Sequence, residues 1–164
     1  MKQINYGTYQ KPSDYMKFDQ GDNVIRIVSV GAFVKRHGMR TAGGYIPLGD
    51  CTEKPDCKFC NEGNKAKQKW FWIAYSKTRK EVKMLDAGPQ IGDAICTIAR
   101  NVGKDPREFD LIVTRKGDGL KTRYSVEKGG EEPIPEAEVA GIESMKKYLV
   151  HKYIQQGEAP QGQE

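Results

Sequence analysis

Short runs of alternating or β-branched residues predict five β-strands. Residues 24–30 are rich in valine and isoleucine and lie between turn residues, and residues 69–75 are followed by a polar turn and by residues 81–85. Residues 109–114 and 122–126 form a second pair around a glycine-containing turn. Runs of this length between turn-forming residues are typical of strands joined in hairpins. The sequence therefore predicts one separate strand followed by two hairpins.

Two segments have helical character. The first, residues 90–102, has apolar residues spaced four, three and four apart, which places them on one face of a helix: Ile91, Ile95, Ile98 and Val102. Gly103 is positioned to end this helix as a C-terminal cap. The second predicted helix covers residues 136–156, with an interruption at Gly141 left open.

The order of these elements indicates a mainly β protein. Five strands with a helix between the third and the fourth is the element order of an oligonucleotide-binding (OB) barrel, although a small sheet with one covering helix has the same order. We therefore expect a five-stranded OB barrel with an inserted zinc-binding subdomain and a C-terminal helix. The predicted divisions are an N-terminal arm at 1–22, an OB core at 23–130 with the zinc subdomain at about 33–65, and an acidic linker with the C-terminal helix or tail at 131–164.

Three of the four cysteines lie in the segment at 33–65, which is broken by glycine and proline. Cys57 and Cys60 are separated by two residues, a spacing that lets a tight turn present both thiolates to one ion, and Cys51 adds a third thiolate. A segment of this length without a strong period needs something to order it. Cys96, in the predicted helix, is instead expected to be a small buried apolar side chain.

The fourth metal ligand is less determined by the sequence. His37 is the predicted one, because a short hairpin turned at residues 43–44 would bring it back to Cys51; Asp50 and His151 are the alternatives. Three thiolates and one imidazole favour zinc over calcium or magnesium. The sequence therefore predicts one structural Zn²⁺ ion, held by His37, Cys51, Cys57 and Cys60.

The charge is unevenly distributed along the chain. The net charge is +5, but residues 131–164 hold seven Glu and three Lys, net −4, so the first 130 residues carry +9. A basic body favours a polyanionic partner. An ordinary solvated surface with an excess of lysine has the same composition.

Two tryptophans adjoin this basic charge. Trp70 and Trp72 must share one face of their strand, with Phe71 on the other, because side chains alternate along a strand. If the turn that follows has two or four residues, Phe71 faces the core and the tryptophans form a surface on which bases stack. The alternative is that the tryptophans are part of the core.

The sequence therefore predicts a single-stranded DNA (ssDNA) site made of the two tryptophans and nearby cations. Its residues are Trp70, Trp72, Lys35, Arg36, Arg40, Lys83, Arg79, Arg115 and Arg123.

Taken together, these features resemble the zinc-containing single-stranded DNA-binding proteins of tailed bacteriophages, the T-even replication type. The matching parts are residues 21–27 (GDNVIRI), the ligand order of the histidine and three cysteines, and residues 109–117 (FDLIVTRKG), with an acidic C-terminal stretch. The resemblance implies an OB barrel with an inserted zinc subdomain. It also implies sequence-independent coating and protection of single strands during phage DNA replication, recombination and repair.

We therefore expect a DNA-binding protein that is not an enzyme, with ssDNA as partner and replication or recombination proteins as further partners of the C-terminal region. We expect it in the cytoplasm, the host's if viral, and not in a membrane, because the N-terminus has no apolar signal core and no run approaches the roughly 20 apolar residues of a membrane helix. One alternative is an RNA-binding zinc-ribbon regulator, since stacking does not separate RNA from DNA. A metal-dependent nucleic-acid enzyme is another, but the acidic residues are scattered.

Overall fold

The computed structural model describes residues 3–7 and 12–153, and its secondary structure is mainly β. The segment 154–156 of the predicted C-terminal helix lies outside the described residues. The strands are β1 (Gly21–Ile27), β2 (Ala32–Thr41), β3 (Gly44–Asp50), β4 (Lys67–Ser76), β5 (Glu81–Ala87), β6 (Asp110–Lys116) and β7 (Arg123–Lys128). The helices are α1 (Lys58–Asn61), α2 (Pro89–Val102) and α3 (Glu136–Tyr153).

Within the described residues, the seven strands form one open antiparallel sheet in the order β3-β2-β4-β1-β6-β7, with β5 on the other edge of β4. Two of these strands, β2 and β3, were not predicted as strands, although a hairpin near residues 43–44 was. The pair forms because Thr41 and Gly44 close a two-residue turn, and Gly44 adopts a φ of 119°, which favours glycine.

One edge of β4 is shared between two strands. Residues 67–71 pair with β2, and residues 74–76 pair with β1. The chain must therefore leave β1 at Ile27, earlier than predicted, and cross to β2. Gly31 lies in this crossing, and a Cβ there would lie 2.4 Å from the indole nitrogen of Trp72.

The prediction that Trp70 and Trp72 form an exposed stacking surface is wrong. Their exposed fractions are 8% and 6%, and they belong to the main core with Ile25, Leu85 and Leu111. The turn between β4 and β5 has four residues, as one predicted case required, and Trp72 pairs with Leu85. The face with the tryptophans nevertheless became the core, because it is enclosed by β1, β6 and α2.

The opposite face of β4 and β5 is also covered, by α3. Ile73 and Met84 pack against Ile142 and Leu149 of this helix. The hydroxyl of Tyr75 donates a 2.6 Å hydrogen bond to Glu138. The predicted C-terminal helix is thus confirmed as a packed element, and it continues through Gly141 without interruption.

The predicted central helix, α2, is confirmed as well. Ile91 and Ile95 are buried on its inner face, and Gly103 ends it in the left-handed conformation with φ 72°. Gly92 lets the helix approach the sheet, because a Cβ at this position would lie 2.3 Å from the ring of Trp70. Cys96, predicted to be buried, is exposed. It follows Ile95 by one residue, which turns it about 100° away from the inner face.

A buried ion pair attaches the C-terminal linker to the sheet. Arg26 and Asp110 are each 5% exposed, and the Nε of Arg26 lies 2.8 Å from the carboxylate. Arg26 also donates to the carbonyl of Glu132, and the backbone of Asp110 pairs with Gly129 and Gly130. These contacts direct the chain from β7 towards α3.

The sheet is not shown to close into a barrel. No pairing joins β5 to β7 in the part of the chain that the structure describes. Residues of the N-terminal segment lie along the free edge of β5, where the backbone of Met84 bonds to Asp14 and Met16. None of the described helices is both long and apolar enough to cross a membrane.

The core position of Trp72 predicts a large loss of stability on truncation. Trp72→Ala is expected to lower the free energy of unfolding by roughly 3–5 kcal/mol, because it removes a large buried side chain and leaves a cavity. Urea unfolding followed by circular dichroism measures this change. Phe71→Ala, on the half-buried opposite face, is the matched control and is expected to cost less. An unchanged midpoint for Trp72→Ala would contradict the core assignment.

Candidate metal centre and basic surface

The four predicted metal ligands reach one point from three neighbouring segments. His37 lies in β2, Cys51 follows the last residue of β3, Cys57 precedes α1 and Cys60 lies in α1. Within the described residues, they are the one group of three or more His, Cys, Asp or Glu residues close enough together to hold a metal ion. The ligand atoms all lie within 4.8 Å of one another.

The hairpin brings the first two ligands together. His37 lies opposite Gly49 in the β2–β3 register, and Gly38 lies opposite Pro47, so the β-bulge between the two pairs leaves Leu48 of β3 as the extra residue. The backbone N–H of Cys51 donates to the carbonyl of Lys35 at 2.7 Å, which extends the pairing by one step. The predicted approach of His37 to Cys51 through a hairpin is therefore confirmed.

The spacing of the ligand atoms fits one tetrahedral ion. His37 Nε2 lies 3.4 Å from the sulfur of Cys57 and 3.5 Å from that of Cys60. The sulfur of Cys51 lies 3.8 Å and 3.5 Å from those same two sulfurs. Zinc bonds of about 2.3 Å to sulfur and about 2.0–2.1 Å to nitrogen require about 3.8 Å between sulfurs and about 3.5 Å between sulfur and nitrogen. These four distances are therefore compatible with one ion held by the four side chains.

The arrangement is that of a structural site. His37 is fully buried and Cys57 is 3% exposed. The ring of Phe59 packs against the imidazole with centroids 5.4 Å apart. Four protein ligands occupy every position of a tetrahedral ion, whereas a catalytic ion keeps one position for water or substrate.

The close packing of the cysteines shifts the pKa values of two of their thiols. The backbone N–H of Cys60, and then that of Thr52, lower the pKa of Cys57 to about 6. The neighbouring sulfurs of Cys51 and Cys57 raise the pKa of Cys60 to about 11. The thiol–thiol hydrogen bonds keep Cys60 protonated, and a bound divalent ion would replace them because it deprotonates a thiol that coordinates it.

Asn64 contacts the imidazole of His37, and the sequence did not single it out. Its side-chain oxygen lies 3.0 Å from Nδ1 of His37, and its amide nitrogen donates to the carbonyl of Gly38 at 2.9 Å. The Nδ1–H therefore donates to Asn64, which leaves Nε2 free to bind the ion. The only sequence signal is an asparagine four residues after Cys60, the last cysteine of the cluster.

The two alternative ligands are not part of this cluster. The carboxylate of Asp50 pairs with Arg36 at 2.9 Å. His151 lies on α3.

The seven cations of the predicted DNA site fall into three regions. Lys35, Arg36 and Arg40 lie on β2, Arg79 and Lys83 on the β4–β5 hairpin, and Arg115 and Arg123 on the β6–β7 hairpin. Several already have acidic or carbonyl partners: Lys35 with Glu53, Arg36 with Asp50, Arg79 with Asp19, Lys83 with Ser13 and Arg115 with Asp118. They do not form one continuous cluster.

A second set of residues, which we call the outer face, lies on one side of the sheet and contains four cations. Because Trp70 and Trp72 point into the core, Lys67, Lys69 and Phe71 point away from it. Pairing adds residues of β2 and β3 to this side: Arg36 lies opposite Lys67, and Arg40, four residues along β2, lies opposite Tyr45. The outer face thus consists of Arg36, Arg40, Tyr45, Lys67, Lys69 and Phe71, and the carboxylates of Asp50 and Asp86 lie beside it on the same side of the sheet.

An arginine and an aromatic ring are stacked on the outer face. The guanidinium of Arg36 lies 5.3 Å from the centroid of the Phe71 ring. The ring is half-buried and Lys67 is exposed. Beyond Phe71 the same side of β4 is covered by α3, so residues 67–71 are the part of the strand left accessible.

A cleft of about 540 Å³ continues the outer face. Lys69 and Asp86 line its near side, and Lys17, Arg115 and Tyr124 line the remainder. Its lining includes residues of both β5 and β7, the two strands that are not paired with each other among the described residues. The Nε of Arg115 is buried without a hydrogen-bond partner among the described residues.

No protein-family model, curated protein or solved structure matches this chain. Any assignment of function therefore depends on the chemistry of the metal centre, the outer face and the cleft.

The metal centre predicts one tightly bound ion per chain. Purified protein is expected to contain one equivalent of zinc by elemental analysis, and Cys60→Ser is expected to lose it, because a ligand is weakened. Cys96→Ser is the matched control, since this thiol is also exposed but lies on α2. Zinc-free wild-type protein, or equal zinc in both variants, would contradict the site.

The hydrogen bond of Asn64 predicts a smaller effect of its own. Asn64→Ala is expected to lower zinc affinity by about 10- to 100-fold, the usual cost of removing a group that orients a ligand. Competition with a chromophoric chelator measures this affinity. Asn61→Ala is the control, because that side chain bonds only to the carbonyl of Pro55 among the described residues. Equal affinities for the two variants would remove the orienting role.

Proposed function

We propose that this protein is a non-catalytic single-stranded DNA-binding protein, with one structural zinc ion, that coats single strands without sequence preference. The observation that carries the proposal is the Arg36–Phe71 stack on the outer face, flanked by Lys67 and Lys69. Aromatic rings beside phosphate-seeking cations are the common design of sequence-tolerant single-strand sites. Every base has a π-face, so such a surface accepts any sequence.

The strand order supports an OB barrel as the underlying fold. Strands β1, β4, β5, β6 and β7 follow the OB order, with α2 between the third and the fourth. The OB barrel is partly open, which agrees with the absence of β5–β7 pairing among the described residues. In this fold oligonucleotides bind at strands 2–3 and at the loops after strands 1 and 4. Those correspond to β4–β5, the inserted hairpin with the metal centre, and the β6–β7 turn.

The donor set supports zinc as the ion. Thiolate and imidazole are soft or borderline ligands, and zinc accepts the tetrahedral arrangement without electronic preference. A structural zinc typically contributes apparent binding energy on the order of 10–16 kcal/mol at neutral pH. That energy would order the hairpin that contributes Arg36 and Arg40 to the outer face.

The acidic residues support a binding role over a catalytic one. Asp110 is held between Arg26 and Lys77, Asp86 pairs with Lys69, and Asp105 pairs with Arg107. Carboxylates engaged in this way do not form the unpaired cluster that a metal-dependent nuclease requires. We propose further that replication or recombination proteins bind the C-terminal region, as the resemblance to the phage proteins implies.

The proposal predicts the effect of truncating Phe71. Phe71→Ala is expected to weaken binding of labelled oligo-dT by ~1–3 kcal/mol, or about 5- to 150-fold in Kd, because one stacked base is lost. Fluorescence anisotropy titrations measure the affinity. Phe33→Ala is the matched control: Phe33 is 60% exposed but pairs with Trp70 and therefore lies on the opposite side of β2.

The same titrations test the class of ligand. Log affinity is expected to fall linearly with log salt, with a slope of about −0.7 for each phosphate neutralised on a single strand. Replacing both Lys67 and Lys69 with Gln should make the slope shallower. Equal affinity for duplex DNA would contradict the proposal, and tighter binding of oligo-U than of oligo-dT would assign the surface to RNA.

A further inference from the structure

The ring of Tyr45 lies over a glycine on the outer face. A Cβ built at Gly38 would lie 1.9 Å from the hydroxyl oxygen of Tyr45 and 2.1 Å from its Cζ. Any side chain at position 38 would therefore have to displace the ring. Tyr45 itself is 47% exposed.

The backbone does not require glycine at this position. Gly38 is absent from the described glycines that have a positive φ, so its conformation is open to other residues. Glycine is required at position 38 only because the ring of Tyr45 occupies the space of a Cβ. The hairpin thus has a large, half-exposed aromatic side chain that packs against the sheet in the space left free by the glycine at position 38.

The ring of Tyr45 packs over Gly38 on the side of the sheet that carries the cations. Arg36, Gly38 and Arg40 follow one another at every second position of β2 and therefore lie on the same side of the sheet. Arg40 lies directly opposite Tyr45. Phe71 lies opposite Ala32. Between Ala32 and Arg40 the strand advances by about 26 Å. Tyr45 and Phe71 therefore mark the two ends of the outer face, with the cations between and beside them.

We infer that Tyr45 is a second base-stacking residue, held in place by the absence of a side chain at Gly38, so that a bound single strand extends from β4 onto the metal-binding hairpin. This inference rests on the proposed function. Tyr45 lies opposite Arg40 in the β2–β3 register, so this end of the outer face also combines an aromatic ring with an arginine. The metal-binding hairpin is then part of the binding surface, in addition to its structural role.

The test compares adjacent residues on opposite sides of one strand. Tyr45→Ala is expected to weaken oligo-dT binding by about 5- to 150-fold, the range for one stacked base. Ile46→Ala is the matched control, because Ile46 is 46% exposed but points to the other side of β3. Tyr45→Phe keeps the ring and is expected to retain wild-type affinity.

The glycine supplies an independent variant. Gly38→Ala is expected to displace the ring and to weaken binding about as much as Tyr45→Ala. The double variant should lose no more than either single one, since both remove the same contact. Zinc content is measured for each variant, and the comparison uses protein that retains one equivalent, which shows that the hairpin is intact.

The outcomes separate this inference from the proposed function. Binding that depends on Phe71 but is equal for Tyr45→Ala and Ile46→Ala would overturn the role of Tyr45 and leave the single-strand function standing. Wild-type protein that does not bind oligo-dT at all would overturn both.

Discussion

The sharing of one edge of β4 between β1 and β2 is the constraint on which the rest of the structure depends. Because residues 74–76 pair with β1 and residues 67–71 with β2, the same strand belongs to the main sheet and to the base of the metal-binding hairpin. The segment that crosses from β1 to β2 passes over Trp72. A Cβ at position 31 would collide with the indole ring, so this position requires glycine. This arrangement joins the surface of the hairpin to that of β4 without a flexible linker between them.

The metal centre takes the place of a hydrophobic core in the hairpin. Between residues 32 and 66 the buried side chains are His37 and Cys57, and both are ligands. Three other large apolar side chains of the hairpin, Met39, Tyr45 and Ile46, are about half exposed. A segment that buries so little apolar area cannot offset the entropy of ordering its backbone. The four side chains are positioned to bind one ion, and its binding energy would supply the difference.

The sequence was most informative where one physical requirement decided the outcome. The spacing of Cys57 and Cys60 permits few geometries, and the recurrence from Ile91 to Val102 places one face of α2 against the sheet. The ligands accordingly come together as expected, and α2 ends at Gly103. The metal's identity was predicted by donor chemistry, and the structure adds distances compatible with it.

The tryptophans were misplaced because both faces of β4 are covered. Alternation along the strand predicts one buried and one open face, but Trp72 packs in the main core while Ile73 packs against α3. No local pattern reveals that a helix more than 60 residues away will cover the second face. For the same reason the accessible aromatic residues, Phe71 and Tyr45, could not be chosen from the sequence. Their exposure depends on where α3 ends its coverage and on the register of β2 with β3.

The acidic neighbours of the outer face bear on how a strand would bind there. Arg36 pairs with Asp50 and Lys69 lies 3.7 Å from Asp86, both at partly exposed positions. Ion pairs of this kind contribute about 0–1 kcal/mol, so a phosphate could replace either carboxylate at little cost. Without a bound phosphate, Asp50 holds the guanidinium of Arg36 over Phe71. A base need not displace it, because the guanidinium plane is itself a stacking surface. Arginine at position 36 would then supply both plane and charge, whereas lysine would supply charge alone.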